Sequence, residues 1–372
     1  MPRNLSLMPK SPLSLAARFA AVATLVLFAS GAIAARPAKK PRAVPVQAIA
    51  DDSALDVVNY GARDDVMNFA DELAEREGLD AHWVRDKLAQ ARFVPSVVRF
   101  IQPPPAGTAK NWAAYRARFV EPQRIRAGLA FWRDNEAWLA KAEAQYGVPA
   151  AIVVGIVGVE TIYGQQMGGF RVVDALATLA FDFPSGRKDR SDYFRNELEQ
   201  LFVLAKGADI DPLSLKGSYA GAMGMPQFMP SSINRWAIDF DGDGRIDLQR
   251  DAADVVGSVA HFLAEHGWIG GLATHFPIAA PVEVVERATL LVPDIVPSFS
   301  VEQMAAHGAL LGPLPEGFDG ELALIELQNG DAAPSYVAGT QNFYVLTRYN
   351  WSSYYAMAVI ELGAAVARER GR

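Results

Sequence analysis

Residues Ile152–Gly164 read IVVGIVGVETIYG. Up to Val159 a helix through this run is apolar on every face, so it has to be enclosed by other elements. Gly155 and Gly158 let another backbone approach closely. Glu160 is the lone acid, at the end of the run. Burial among apolar groups disfavours a carboxylate and raises its pKa. An acid still protonated near neutral pH is what a glycosidase uses to protonate a leaving oxygen. The plainer alternative is a buried glutamate satisfied by backbone donors near a helix end.

Hydrolytic glycosidases usually carry a second carboxylate. Asp174 in RVVDALATL reads as the N-cap of the next helix, and Asp182 and Asp189 read as solvated loop acids. No other acid stands out. A one-carboxylate site can instead use the 2-acetamido group of its own substrate.

The chain has 372 residues, 51% of them hydrophobic and 21% charged, which is a globular composition. With 42 acids, 35 bases and a net charge of -7, it is a poor partner for nucleic acid, which needs clustered Lys and Arg. There is no cysteine, which excludes disulfides, thiolate catalysis, cysteine-based metal sites and a lipid anchor on an N-terminal cysteine. His82, His261, His266, His275 and His307 have no metal-ligand spacing. No nucleotide loop of the GxxxxGK[ST] type is present, and no organic cofactor is implied.

Arg3, Lys10 and Arg18 precede the apolar run Phe19–Ile33, and AIA ends at Ala34. Residues 1–34 therefore read as a secretory signal peptide. The run has 15 residues, short of the ~20 that span a bilayer. Arg36, Lys39, Lys40 and Arg42 follow directly, a feature that favours an uncleaved N-terminal anchor. Either way the chain is exported, and it touches membrane only if the segment is kept. Residues 35–53, rich in Pro and bases, read as a linker.

Helical periodicity dominates up to Trp268, with apolar Val66, Phe69, Ala70 and Leu73 in Val66–Glu77. Further helices are predicted over His82–Ala91, Asn111–Phe119, Pro122–Gln145 and onward from Pro149. Beyond Trp268, Val282–Leu291, Leu322–Leu327 and Asn342–Thr347 read as strands, with a turn at Gly330-Asp331. Ser300 caps a short helix, and Ser352–Arg368 forms the last one. The expectation is a mainly α protein. It comprises an N-terminal helical lobe at 54–145, a catalytic core at 146–275, a small α/β segment at 276–345 and a returning C-terminal helix at 346–372.

The ordered blocks KNWAAYRARFV, VGIVGVETIYG, RVVDALATLAFDFP, DPLSLKGSYAGAMGMPQFMPSS, DFDGDGRIDL and TRYNWSSYYAMAV closely resemble the lytic murein transglycosylase B family of lysozyme-like enzymes. The resemblance spans roughly Lys110 to Leu362. It implies a lysozyme-like helical core and cleavage of the β-1,4 bond between N-acetylmuramic acid and N-acetylglucosamine in peptidoglycan glycan strands. The muramyl 6-hydroxyl attacks in place of water and leaves a 1,6-anhydro end. Glu160 matches the family's single acid, which acts first as acid and then as base. Ser218 is implied to bond the acetamido group. Met223, Gln227 and Phe228 are implied to line the sugar subsites. Tyr115, Arg190 and Tyr193 are implied to offer stacking faces and donors, and Tyr349, Asn350 and Tyr355 to close the groove. The family further implies a periplasmic monomer, with cell-wall synthesis or division complexes as possible company. Two departures stand out. The loop DFPSGRKDRSDYF is longer and less basic beside Arg190 than in relatives, and Phe262 stands where relatives often carry tyrosine.

Asp239, Asp241, Asp243, Gly244, Arg245 and Asp247 fall at positions 1, 3, 5, 6, 7 and 9 of an EF-hand loop, Arg245 contributing its carbonyl. Position 12 is Arg250, so a longer loop has to bring in Asp254 or Asp251. The resemblance implies one extended site of this kind with Asp254, holding a structural Ca2+. Two other readings stay open at this level: a hydrolytic lysozyme, with water as acceptor, and a non-catalytic peptidoglycan-binding scaffold.

Overall fold

The computed structural model describes residues 59–103, 109–186 and 188–371. The signal or anchor at 1–34 and the linker at 35–53 lie outside the described residues. The first half is helical: α1 (Asp64–Glu77), α2 (Ala81–Ala89), α3 (Pro95–Phe100), α4 (Trp112–Arg116), α5 (Pro122–Asp134), α6 (Glu136–Tyr146) and α7 (Ala150–Thr161). Strand β1 (Phe170–Arg171), α8 (Val172–Phe181), α9 (Ser191–Gly207), β2 (Lys216–Gly217), α10 (Pro230–Trp236) and α11 (Ala252–Glu265) follow. Then come β3 (His275–Ala279), α12 (Val284–Leu291), α13 (Val301–Ala306), β4 (Leu310–Leu311), β5 (Ala323–Asn329) and β6 (Ala332–Gly339). The chain closes with α14 (Gln341–Tyr349) and α15 (Ser353–Arg370). Among the described residues no single helix is long and apolar enough to cross a membrane.

Helix α7 is the buried axis of the molecule. Ile152 to Val159 are at most 7% exposed or, for the glycines, buried. Its long contact is with α15. A Cβ on Gly155 would run into the Val359 carbonyl, and one on Gly363 into the Ala151 carbonyl, so both glycines exist to let the two backbones meet. Gly158 differs from expectation. It makes room for the hydroxyl of Tyr163 and for Leu362, side chains and not a backbone.

Among the described residues three apolar cores form, and they cross the boundaries read from the sequence. The α4–α6 stretch joins α7, α11, α14 and α15. The α1–α3 stretch joins α8 and α9 instead. The expected N-terminal lobe is therefore divided between two cores, because its apolar stripes face different partners. The third core lies under the small sheet, whose order is β4-β3-β6-β5, all antiparallel.

Several local expectations are corrected. Val282–Leu291 is mainly helix α12, with only Leu290 fully enclosed. Asn342–Thr347 lies in helix α14, capped by Thr340, because Phe343, Val345 and Leu346 bury at helical spacing. Packing overrides β-branched propensity in α14, whereas in α12 Val284 and Val285 stay 66% and 74% exposed. Pro122–Gln145 breaks at Asn135 into α5 and α6. Asp174 is inside α8 and not its cap. It accepts from Arg92 N at 2.9 Å and pairs with Arg171 at 2.6 Å. Asp182 is not free in solvent but accepts from Tyr60 Oη at 2.6 Å and Arg63 at 2.8 Å. The strand at Leu322–Leu327, now β5, the turn at Gly330-Asp331 and Ser300 as the cap of α13 stand as read, while the partner strand β6 and the reciprocal bond from Gln303 come from the structure.

Candidate active site

Glu160 is the penultimate residue of α7, where the negative end of the helix dipole adds to burial in disfavouring charge. Its carboxyl is pushed up to about 7, first by burial, while a hydrogen bond from Tyr355 works the other way. Tyr355 Oη donates to Glu160 Oε1 at 2.6 Å. Glu160 keeps partial solvent access, so the proton sits where a ligand can reach it. Tyr355 stands on the first turn of α15 and stacks parallel to Tyr349 at 6.2 Å. Tyr349, in turn, donates to the Pro226 carbonyl at 2.5 Å. The hydroxyls of Tyr115, Tyr349 and Tyr355 are all held above the usual tyrosine range, burial first and the Glu160 charge after it. The structure thus gathers Glu160, Tyr115, Tyr349 and Tyr355 into one cluster. Replacing Tyr355 with Phe removes the bond that favours the carboxylate. The high-pH edge of activity should then move to higher pH, as read from rate against pH.

A strained turn follows the acid. Ile162 and Tyr163 take φ of 52° and 55°, a left-handed conformation that a β-branched residue adopts only under surrounding constraint. The constraint is visible. Thr161 Oγ1 donates to the Met225 carbonyl at 2.8 Å and accepts from Gly164 N at 3.0 Å. This ties the end of α7 to the glycine-rich loop 217–229.

That loop is folded by its own backbone. Ser218 N donates to the Ala222 carbonyl at 2.8 Å, and Ser218 Oγ accepts from Ala222 N at 3.0 Å, which leaves its O–H to donate. Gln227, at φ 51°, donates to the carbonyls of Gly224 and Met167. Ser218 and Gln227 are part-exposed. Met223 and Phe228 are corrected: at 3% and 2% exposed they pair across a bridge inside the cores and shape the loop from below instead of lining a surface. Asn350 is 6% exposed, and its Oδ1 has no hydrogen-bond partner among the described residues.

Arg190 and Tyr193 form a separate group, the guanidinium 4.7 Å from the ring centroid. Tyr193 points its hydroxyl at Glu197, a residue that sequence reasoning misses. Glu197 is 2% exposed. Its signal is present in the chain, since Phe194, Glu197, Leu198, Leu201 and Phe202 form one helical stripe with an acid set in it.

In the acidic loop, carboxylate oxygens of Asp239, Asp241 and Asp254 lie within 4.8 Å of one another. Asp239 accepts from the amides of Gly242, Asp243 and Gly244, which curls the loop around it. Asp254 is 2% exposed and held above the usual carboxylate range, burial first. A buried acid converging with two others fits a hard cation. Asp251 is committed elsewhere, as the N-cap of α11. Asp243 is outside the three-carboxylate group and accepts from Arg245 N at 2.8 Å.

Comparison with known proteins settles the kinship. The Transglycosylase SLT domain family matches residues 61–364. The chain belongs to that family. It is an enzyme of the lytic murein transglycosylase class with a lysozyme-like helical fold. It is 39% identical over 320 residues to membrane-bound lytic murein transglycosylase B of Escherichia coli (strain K12), covering 84% of this chain and 85% of that one. The soluble lytic transglycosylase SltB1 of Pseudomonas aeruginosa superposes with a TM-score of 0.75 at 39% identity, covering 83% of this chain and all of that one. The Escherichia coli lytic transglycosylase Slt35, solved in complex with calcium, gives 0.72 at 37% identity, covering 84% and 96%.

Proposed function

We propose that this lytic transglycosylase cleaves the β-1,4 bond between N-acetylmuramic acid and N-acetylglucosamine, with Glu160 serving both chemical steps. The observation that carries the reading is a reachable carboxyl pushed up to about 7 inside a tyrosine cluster. In the first step Glu160 gives its proton to the glycosidic oxygen, and the C1–O4 bond breaks. The substrate's acetamido carbonyl stabilises C1, with Ser218 Oγ–H donating to that group. In the second step the Glu160 carboxylate takes the proton of the muramyl 6-hydroxyl as its oxygen bonds C1. The attack is intramolecular, so positioning replaces a bimolecular encounter. Asn350 Oδ1, buried and unpartnered, is suited to accept from a sugar hydroxyl. Tyr115 lies near enough to Glu160 to feel its charge, and Gln227, Arg190 and Tyr193 are assigned to the sugars by the family resemblance. Mass spectrometry of soluble products from purified peptidoglycan tests the reading. Anhydro ends, one water lighter than reducing ends, support it. Reducing ends alone would make the enzyme a lysozyme.

The enzyme acts in the cell envelope, in the periplasm, on peptidoglycan glycan strands. Asp239, Asp241 and Asp254 would hold one Ca2+, with Asp243 and the Arg245 carbonyl assigned to it by their loop positions alone, and the ion would fix the loop between α10 and α11. Chelation should lower the melting temperature, and calcium should restore it. Binding at 100 times the dissociation constant is worth about 2.7 kcal/mol, which a thermal melt resolves. Asp254→Asn should abolish the calcium response.

A further inference from the structure

Glu197 lies on the face of α9 that meets the start of α10. Ser231 N and Ser231 Oγ donate to its two carboxyl oxygens at 3.0 and 2.7 Å, and the Tyr193 hydroxyl stands beside it. Both carboxyl oxygens of a side chain that is 2% exposed are thus met by one residue of α10; burial still holds the carboxyl above its ordinary range, and the Ser231 donors work against that. One helical turn further on, Asn234 Nδ2 donates to the Gln200 carbonyl and side chain at 2.9 and 3.0 Å. The second tie is exposed to solvent, where such bonds are worth little.

Helix α10 begins where loop 217–229 ends, with Met229 as its N-cap. Further back, Met225 is tied to the turn after Glu160 through Thr161, and the far end of the loop, Gly217, pairs with Phe170 of β1. The loop is thus held at three points, at β1, at the end of α7 and at the first turn of α10, and the last of these is held by Glu197. We propose that Glu197 is a positioning residue of the reaction. It fixes the start of α10 on α9 and so keeps Ser218 and Gln227 in register with Glu160. This inference rests on the reading of Glu160 as the catalytic acid. Glu197 touches no substrate and acts through the loop.

The test compares kcat and KM for release of anhydromuropeptides from purified peptidoglycan, each variant assayed well below its melting transition. Misplacement by about 1 Å costs on the order of 10- to 100-fold, so Glu197→Ala should lose at least tenfold in kcat, with KM within twofold. Glu197→Gln keeps the size and the bond from Ser231 Oγ but presents a donor to Ser231 N, and should recover part of the loss. Gln200→Ala should leave kcat unchanged. A Glu197→Ala kcat within twofold of wild type overturns the proposal, as does an equal loss in Gln200→Ala. If Glu197→Ala fails to fold, Glu197→Gln decides: a loss of threefold or more supports the role, and unchanged kcat ends it. Wild type releasing no anhydro product would instead remove the underlying reading of Glu160.

Discussion

Replacing Glu160 with Gln should lower kcat by roughly a thousandfold, the worth of a positioned general acid and base, while glycan fragments still bind. Gln keeps the shape and can still accept the bond from Tyr355, but it has no proton to give. Wild-type activity should fall as pH rises through about 7, where the acid ionises. The same variant should be more stable than wild type in alkaline solution. The folded carboxyl holds its proton more tightly than the unfolded one, which titrates at about 4.3. Stability is therefore undiminished below the unfolded pKa and is lost as pH rises from there through the folded value. Above it the wild type carries the whole deficit, on the order of 3 kcal/mol, and the Glu160→Gln protein carries none. Thermal melts at pH 5 and pH 8 measure this: the gap between the proteins should open mainly at the higher pH. A variant as active as wild type would remove Glu160 from the chemistry.

Gly363→Ala should be strongly destabilising. The added Cβ would collide with the Ala151 carbonyl across the α7–α15 contact, and backbone on both sides cannot step aside. Overpacking of this kind costs about 1–3 kcal/mol and occasionally more, and this site belongs to the upper end. The loss should appear as a fall of several degrees in melting temperature, or as insoluble expression. Gly155→Ala, against the Val359 carbonyl, should behave alike. Gly242→Ala offers a contrast, since nothing crowds its Cβ and only its φ of 83° resists. A Gly363→Ala protein that melts with wild type would mean that α15 can shift freely along α7.

Much of this is legible in the chain. The enclosed helix and its lone acid follow from residue type alone. The EF-hand spacing places Asp239 and Asp241, and burial then chooses Asp254 over Asp251. What cannot be read is what depends on distant partners. Asn342–Thr347 looks like a strand, yet Phe343, Val345 and Leu346 find an apolar surface that suits a helix; Val282–Leu291 looks like one because β-branched residues crowd it, yet it is helical from Val284 with its valines exposed and Leu290 as the buried residue. Met223 and Phe228 sit in a loop motif that reads as surface, and only the packing of α8 and α11 encloses them. Glu197 escapes notice because a single acid in a charged helix looks solvated until its stripe is drawn. Gly158 invites a backbone neighbour on sequence grounds. Its true neighbour is the ring five residues ahead, turned back by a left-handed turn.

The bond between Tyr355 and Glu160 spans 195 positions of the chain. A chain emerging from its N-terminus carries the acid long before it carries the helix that tunes and covers it. Without α15 the Glu160 carboxyl has neither the Tyr355 bond nor the helix that packs along α7. The tuning of this acid is therefore a property of the assembled fold and not of the helix that carries it.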